Sequence, residues 1–177
     1  MLVHNPAAHS ASPGRRSFMS NKVKAIPDGY EGATPYLIIK GAAGALEFYK
    51  SAFGATELMR VPAPGGTVGH AEIKIGKAII MLADEFPEMN CKSPQVLGGS
   101  PVSMMLYVQD VDAFVDKAVS AGAKLVRPVK NQFYGDRSGS LEDPFGHQWH
   151  IATHVEDVSP DEMAKRAAAF MKQQDSA

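Results

Sequence analysis

ATPYLIIKGAAGALEFYKSAFGATELMR, residues 33–60, reads as an apolar strand, a loop, an amphipathic helix, Gly-Ala and a second strand. PVSMMLYVQDVDAFVDKAVSAGAKLVRPV, residues 101–129, repeats that order. A shift of 68 lays Gly54-Ala55 on Gly122-Ala123 and Leu37-Ile38 on Met105-Leu106. In each segment the helix carries a one-sided apolar stripe, the spacing of a helix with one buried face. The stripe is Leu46, Tyr49 and Phe53 in the first copy and Val111, Val115 and Ala118 in the second. Both helices end at a glycine, which suits the left-handed residue after a helix, and Asp110 is placed to cap the second.

The repeat extends further at a shift of 70, where Glu72 to Gly76 and the following AIIMLAD lie over Glu142 to Gly146 and the following QWHIATH. Each is a strand, a turn ending in Gly, and a strand. The unit is therefore β-α-β-β-β. Two copies, 33–86 and 101–157, are joined by a linker at 87–100, and the fold class is α+β.

The last strand contains three histidines within LEDPFGHQWHIATHVED, residues 141–157. On a helix His147, His150 and His154 would share a face; on a strand they are split. Asp143-Pro144-Phe145-Gly146 is turn chemistry, and Trp149, Ile151, Thr153 and Val155 alternate as β-formers. Trp149, Ile151 and Thr153 then face one side, with Trp149 assigned to the core, while His150, Ala152 and His154 face the other. His147 falls in the turn, and His150 and His154 stand about 13–14 Å apart along the strand. No single metal ion spans that pair, so a metal site must recruit other strands. His154, beside Glu156 and Asp157, is expected to pair with a carboxylate.

The 177 residues are 45% hydrophobic and 21% charged with a net charge of -1, an ordinary globular composition. That balance gives no electrostatic basis for binding nucleic acid or an acidic membrane surface. Lys22, Lys24, Lys74 and Lys77 form no basic stripe, and no apolar run reaches the roughly 20 residues of a membrane span. Cys91 is the single cysteine, which excludes an intrachain disulfide and a thiolate-rich zinc site and suits a reducing, cytoplasmic setting. The methionines are spread through strands and helices as adaptable core packing.

Residues 1–28 read as a disordered leader, with an internal start expected at Met19. At the other end, 158–177 reads as an appended helix. Ser159-Pro160-Asp161-Glu162 is a capping box with Pro in the first turn, and Met163, Ala167, Phe170 and Met171 form its apolar stripe. That stripe is expected to pack on the chain's own sheet rather than on a second subunit.

Two tandem β-α-β-β-β units with PYLII, ALEFYKSAFG, GHAEIKIG, MLADE and DPFGHQWHIATHVED resemble the vicinal oxygen chelate superfamily, and within it the PhnB-like branch. The superfamily includes glyoxalase I, extradiol dioxygenases, fosfomycin-resistance enzymes and bleomycin-binding proteins. The resemblance covers residues 30–155 and implies a cup-shaped mixed sheet with outer helices and a ligand inside. In the metalloenzymes it implies a divalent metal held near the first and last strands of the modules. Those places fall near Thr34, Ile80, Ser103 and His150, of which His150 alone is a good ligand, whereas a catalytic metal needs about three protein ligands and an open position.

The preferred expectation is thus a small-molecule-binding protein with no metal cofactor. Tyr36, Ile38, Met105, Tyr107, Arg137 and His150 would bind the ligand, Tyr36 and Tyr107 being balanced between pocket and core. Arg137 would serve an anionic ligand or pair at the surface with Asp136 or Asp143. The alternative is a lyase or dioxygenase dependent on Fe, Mn, Ni or Zn. Since Ala71, Ile73 and Ile75 should face the helices, His70, Glu72 and Lys74 face away, and His70, Glu72 and His150 would form a facial ligand set. Glu72 and Glu142, or Asp84, are then the candidate catalytic carboxylates. A third reading is a pure interaction module working through its C-terminal helix. A homodimer is expected because paired modules leave sheet edges to cover, with the cup formed within one chain or across two.

Overall fold

The computed structural model describes residues 23–174. The internal start at Met19 and most of the leader expected over 1–28 lie outside the described residues. Module 1 runs β1 (Tyr36–Ile39), α1 (Ala42–Phe53), β2 (Thr56–Pro62), β3 (Val68–Ile75) and β4 (Ala78–Asp84). The linker folds a short helix, α2 (Pro94–Leu97), and module 2 runs β5 (Ser103–Tyr107), α3 (Val111–Ser120), β6 (Lys124–Asn131), β7 (Asp136–Glu142) and β8 (Gln148–His154). Helix α4 (Pro160–Gln174) follows. The fold is mixed α+β, with two four-stranded sheets of identical topology, β1-β4-β3-β2 and β5-β8-β7-β6. In each, the first strand pairs parallel with the last and the remaining pairs are antiparallel. The mixed sheet expected of the two modules is built as two four-stranded sheets, with β1 and β5 each at an edge.

Register corrects the repeat. Ala42 and Val111 open the two helices 69 positions apart, and the pairs Tyr36↔Met81 and Met105↔His150 are related by the same step. The shifts of 68 and 70 come from glycines in connections of unequal length. Helix α1 has 12 residues and α3 has 10; Ile75 pairs with Ala78 across a tight turn, whereas Glu142 pairs with Gln148 across a longer one. A slip of one residue turns a strand's side chains to the other face. Met81, rather than Ile80, is therefore the counterpart of His150, and Ile80 lies in the core.

The helices start for different reasons. Helix α3 is capped by Asp110, whose Oδ1 accepts from Ala113 N at 3.0 Å. Helix α1 follows Gly41 and has no side-chain cap of its own. Asp84, at the end of β4, supplies one: its Oδ1 accepts from Gly41 N at 2.8 Å and Ala42 N at 3.0 Å, and its Oδ2 from Val68 N at 2.7 Å. Thr153 is the module 2 counterpart; its hydroxyl accepts from Val111 N at 2.9 Å and donates to Val108 O at 2.9 Å.

One core serves both modules. Leu46, Tyr49 and Phe53 point inward from α1, as the stripe predicts, and Tyr49 and Phe53 meet Trp149 of β8, with the Phe53 and Trp149 rings 4.7 Å apart at 83°. Trp149 is a core residue, 2% exposed. Tyr49 and Trp149 are tied to a buried carboxylate at the start of the DPFG turn. Asp143 Oδ2 accepts from Tyr49 Oη at 2.6 Å and from Trp149 Nε1 at 3.0 Å, and Oδ1 accepts from Phe145 N at 2.9 Å and His147 N at 3.0 Å. The same burial that pushes the Asp143 carboxyl up is outweighed by the nearby His147 imidazole, the Tyr49 hydroxyl and the indole, which hold it below its ordinary value.

The C-terminal helix is capped as its sequence implies, with Glu162 N donating to Ser159 Oγ at 3.4 Å. It packs on its own chain. Arg166 forks onto Glu156 at 2.7 and 2.8 Å and reaches Glu162 at 2.9 Å, and Phe170 lies against Phe133 with centroids 5.1 Å apart. At the end of β8, His154 Nδ1 is 2.8 Å from Asp136 Oδ1 and Nε2 is 3.0 Å from Asp157 Oδ1. Asp157 and Asp136 together raise its pKa above 6.5.

Two outcomes follow. Asp143→Asn should lower stability by about 3 kcal/mol in urea unfolding, because it weakens charge-assisted bonds inside a closed network. A carboxyl depressed in the fold stabilises above its unfolded value of 3.8 and loses that contribution as pH falls through the folded value, so the variant should also lose part of the wild type's acid sensitivity. His154 has the opposite sign. Its contribution is full below 6.5 and fades as pH rises through the higher folded value, and its NMR titration midpoint should move back toward 6.5 in Asp136→Asn.

Candidate functional site

Edge strands β1 and β5 border one cavity of about 610 Å³. Tyr36, Ile38 and Met105 contribute to its walls together with Trp149 and His147, and linker residues Lys92, Leu97 and Ser100 complete it. Its surface is mainly apolar, and its size is that of a pocket for a drug-sized ligand. A second hollow of about 680 Å³ lies on the open face of module 2, where Met105, Ser140 and His150 meet Tyr134 and Phe170 of α4. Of the residues expected to bind ligand, Tyr36 and Ile38 border the first space, His150 the second and Met105 both.

Alternation on β3 follows the sequence. Ala71, Ile73 and Ile75 are buried against the helix side, and His70, Glu72 and Lys74 face the other way. There His70 and Glu72 form a network with Tyr36 of β1 and with Tyr30. Tyr36 Oη lies 2.9 Å from His70 Nδ1, His70 Nε2 lies 3.2 Å from Glu72 Oε1, and Tyr30 donates its hydroxyl proton to Glu72 Oε2. The Tyr30 bond, opposed by burial and aided by His70, holds the Glu72 carboxyl below its ordinary value.

On module 2 the corresponding face is wired differently. His150 Nδ1 is 2.8 Å from Ser140 Oγ. Tyr107 donates to Asp136 Oδ2 at 2.7 Å, the carboxylate that also receives His154. That bond, with burial, raises the Tyr107 pKa. Tyr107 is 58% exposed and stands outside both cavities' walls.

The rearranged metal set is not assembled. His70 and Glu72 bond to each other and to tyrosines, while His150 is held by Ser140 on the other sheet. Among the described residues no group of three His, Cys, Asp or Glu side chains is placed to hold an ion. The family's own positions, with the corrected register, are Thr34, Met81, Ser103 and His150, a donor set that does not fit a catalytic divalent metal.

Three further candidates have other partners. Arg137 lies on the helix side of β7 and forks onto Asp112 of α3 at 2.6 and 2.7 Å. It pairs with neither Asp136, which Tyr107 and His154 occupy, nor Asp143, which is buried. Glu142 accepts from Gln148 Nε2 at 2.7 Å. Asp84 is 8% exposed and spends both oxygens on backbone amides, which makes it a helix cap rather than a base. What the sequence reading missed is Tyr30, which lies 42 positions from Glu72 in a turn without periodicity, and the linker's part in the cavity. His147 was assigned to the turn, yet it is 5% exposed, its Nδ1 lies 3.8 Å from Asp143 Oδ1, and its ring borders the cavity.

Residues 34–151 match the Glyoxalase/Bleomycin resistance protein/Dioxygenase superfamily. An uncharacterized protein of Mycobacterium bovis is 43% identical over 133 residues, covering 73% of this chain and 88% of its own. The crystal structure of a gene product of Arabidopsis thaliana is 29% identical with a TM-score of 0.56, covering 68% of this chain and 97% of that one. The PhnB protein from Bacillus cereus is 19% identical with a TM-score of 0.53, covering 70% and 99%, a likeness of fold alone. With two β-α-β-β-β modules of one topology behind it, the chain belongs to the Glyoxalase/Bleomycin resistance protein/Dioxygenase superfamily.

Proposed function

We propose that the protein is a small-molecule binder that holds its ligand between β1 and β5 without the metal site of its metalloenzyme relatives. The observation that carries this is the 610 Å³ apolar cavity bounded by both modules and the linker. Trp149 and Ile38 offer flat and branched apolar contact, and Tyr36, Ser103 and His147 offer polar groups to orient a ligand. A mainly apolar molecule with one or two polar functions matches that wall. Thr34, Met81 and Ser103 are the chemical reason for the metal-free reading, since none is an adequate ligand for a divalent catalytic ion.

Membership of the PhnB-like branch belongs to the same proposal and is supported by ALEFYKSAFG and DPFGHQWH. So does a homodimer, for which β2 and β6 are the remaining sheet edges and carry exposed Met59, Val61, Leu125 and Val126. No described helix is long and apolar enough to cross a membrane. A cytoplasmic location is proposed from the lone Cys91.

Because Trp149 is the chain's single tryptophan and borders the cavity, ligand entry should change its fluorescence. Screening aromatic small molecules should yield quenching that saturates, and the double variant Ile38→Phe with Met105→Phe, which fills the space without adding a tryptophan, should weaken binding at least about tenfold, or about 1.4 kcal/mol. Absence of saturable binding to the folded wild type would refute the reading. After incubation with Fe, Mn, Ni or Zn and desalting, elemental analysis should find far less than one equivalent of metal, unchanged in His150→Ala. Near-stoichiometric metal lost in that variant would refute the metal-free part.

A further inference from the structure

The network on module 1 has assignable protons. Glu72 accepts at both oxygens, from Tyr30 and from His70 Nε2, and a carboxylate has no proton to offer. His70 therefore carries its proton on Nε2. That tautomer leaves Nδ1 bare, so the Tyr36 hydroxyl, 2.9 Å away, donates to it. The phenol's proton points inward at the imidazole while its oxygen lone pairs stay available. Tyr36 is 47% exposed and borders the apolar cavity. A hydroxyl that gives its own proton to the imidazole, with no other hydrogen bond at its oxygen among the described residues, keeps lone pairs to receive a proton. The imidazolium formed behind it would face a carboxylate.

The geometry points to Tyr36, His70 and Glu72 as a proton-accepting relay for a weakly acidic ligand, a phenol or an enol, seated between β1 and β5. It rests on the binding reading above. In the step the ligand's O–H bond breaks and its proton passes to Tyr36 Oη. The proton already on Tyr36 moves to His70 Nδ1, and the electron pair stays on the ligand oxygen as phenolate or enolate. Tyr36 ends neutral, the imidazolium is balanced by the Glu72 carboxylate, and the ligand carries the negative charge.

The surroundings suit that charge. Lys92 is the one ionised side chain among the described residues lining the cavity, and His147 also borders it. On β3, Lys74 lies on the same face as Glu72; the residues paired with His70 and Glu72 from β2 and β4 are Val61, Met59 and Met81, which bring no competing charge. Burial, with a smaller contribution from Cys91, holds the Tyr36 hydroxyl above its ordinary value, so it enters the step as a neutral phenol. Tyr30 and His70 hold Glu72 ionised, ready for the imidazolium. Tyr36 is the catalytic residue of the relay, and Glu72 and Tyr30 are positioning residues.

The probes are 7-hydroxycoumarin, whose excitation spectrum reports its ionisation, and 7-methoxycoumarin, which has no proton to lose. Both should quench Trp149 in the full chain with similar affinity. Bound 7-hydroxycoumarin should appear as the anion at a pH about one unit or more below that at which it ionises free. The 7-hydroxycoumarin bound by Tyr36→Phe should ionise at its free value, and Glu72→Gln should remove most of the shift. Methoxycoumarin binding with no ionisation shift in wild type, or a shift that survives Tyr36→Phe, would overturn the relay and leave the cavity reading standing. Failure of both probes to bind would overturn both.

Discussion

The carboxylate of Asp143 joins the two halves of the molecule. It takes two backbone protons from its own turn, the indole proton of the strand that follows, and the hydroxyl proton of Tyr49, 94 positions earlier in the chain. A buried charge is tolerable only when its lone pairs are filled and its geometry is fixed. Asp143 meets that condition by drawing one donor from the other module, so the turn, β8 and α1 are positioned together. That junction acts together with the shared core and the Phe53–Phe114 contact between α1 and α3 to hold the two modules against each other. The aromatic contacts of Tyr49 and Phe53 with Trp149 add area. The hydrogen bonds add direction.

Much of this fold was legible because it rests on local rules. The stripe of α1, the alternation on β3 and β8, the Asp110 and Ser159 caps and the turn at Asp143 all follow from period and residue type, and each stands as the sequence implied. Register was not legible in that way. Aligned glycines marked the repeat, but glycines sit in turns, and turns change length while strands keep their pairing. The error of one position placed Ile80 where Met81 belongs.

The site was less legible than the fold for a related reason. Asp84 looks like a catalytic carboxylate until the amides of Gly41 and Ala42, more than forty positions away, are seen to claim it. Arg137 looks like an anion receptor until its face of the strand is known. Tyr30 gives no signal at all, since a single tyrosine in a turn has no pattern to read. The two open faces have also diverged. Module 1 carries a tyrosine, histidine and glutamate network, whereas the matching places on module 2 hold Met105, Ser138 and Ser140.

Because β1 and β5 are counterparts in the repeat, the two walls of the cavity are the same structural positions met twice: Tyr36 stands opposite in role to Met105, and Leu37 to Leu106. The cavity is therefore lined twice by the same element of the repeat. Were the copies identical, the walls would prefer a ligand with two equivalent ends. Replacing a thioether on one side by a phenol on the other gives the space a polar pole and an apolar pole. The asymmetry of the cavity is then a property of the difference between the copies, not of either copy alone.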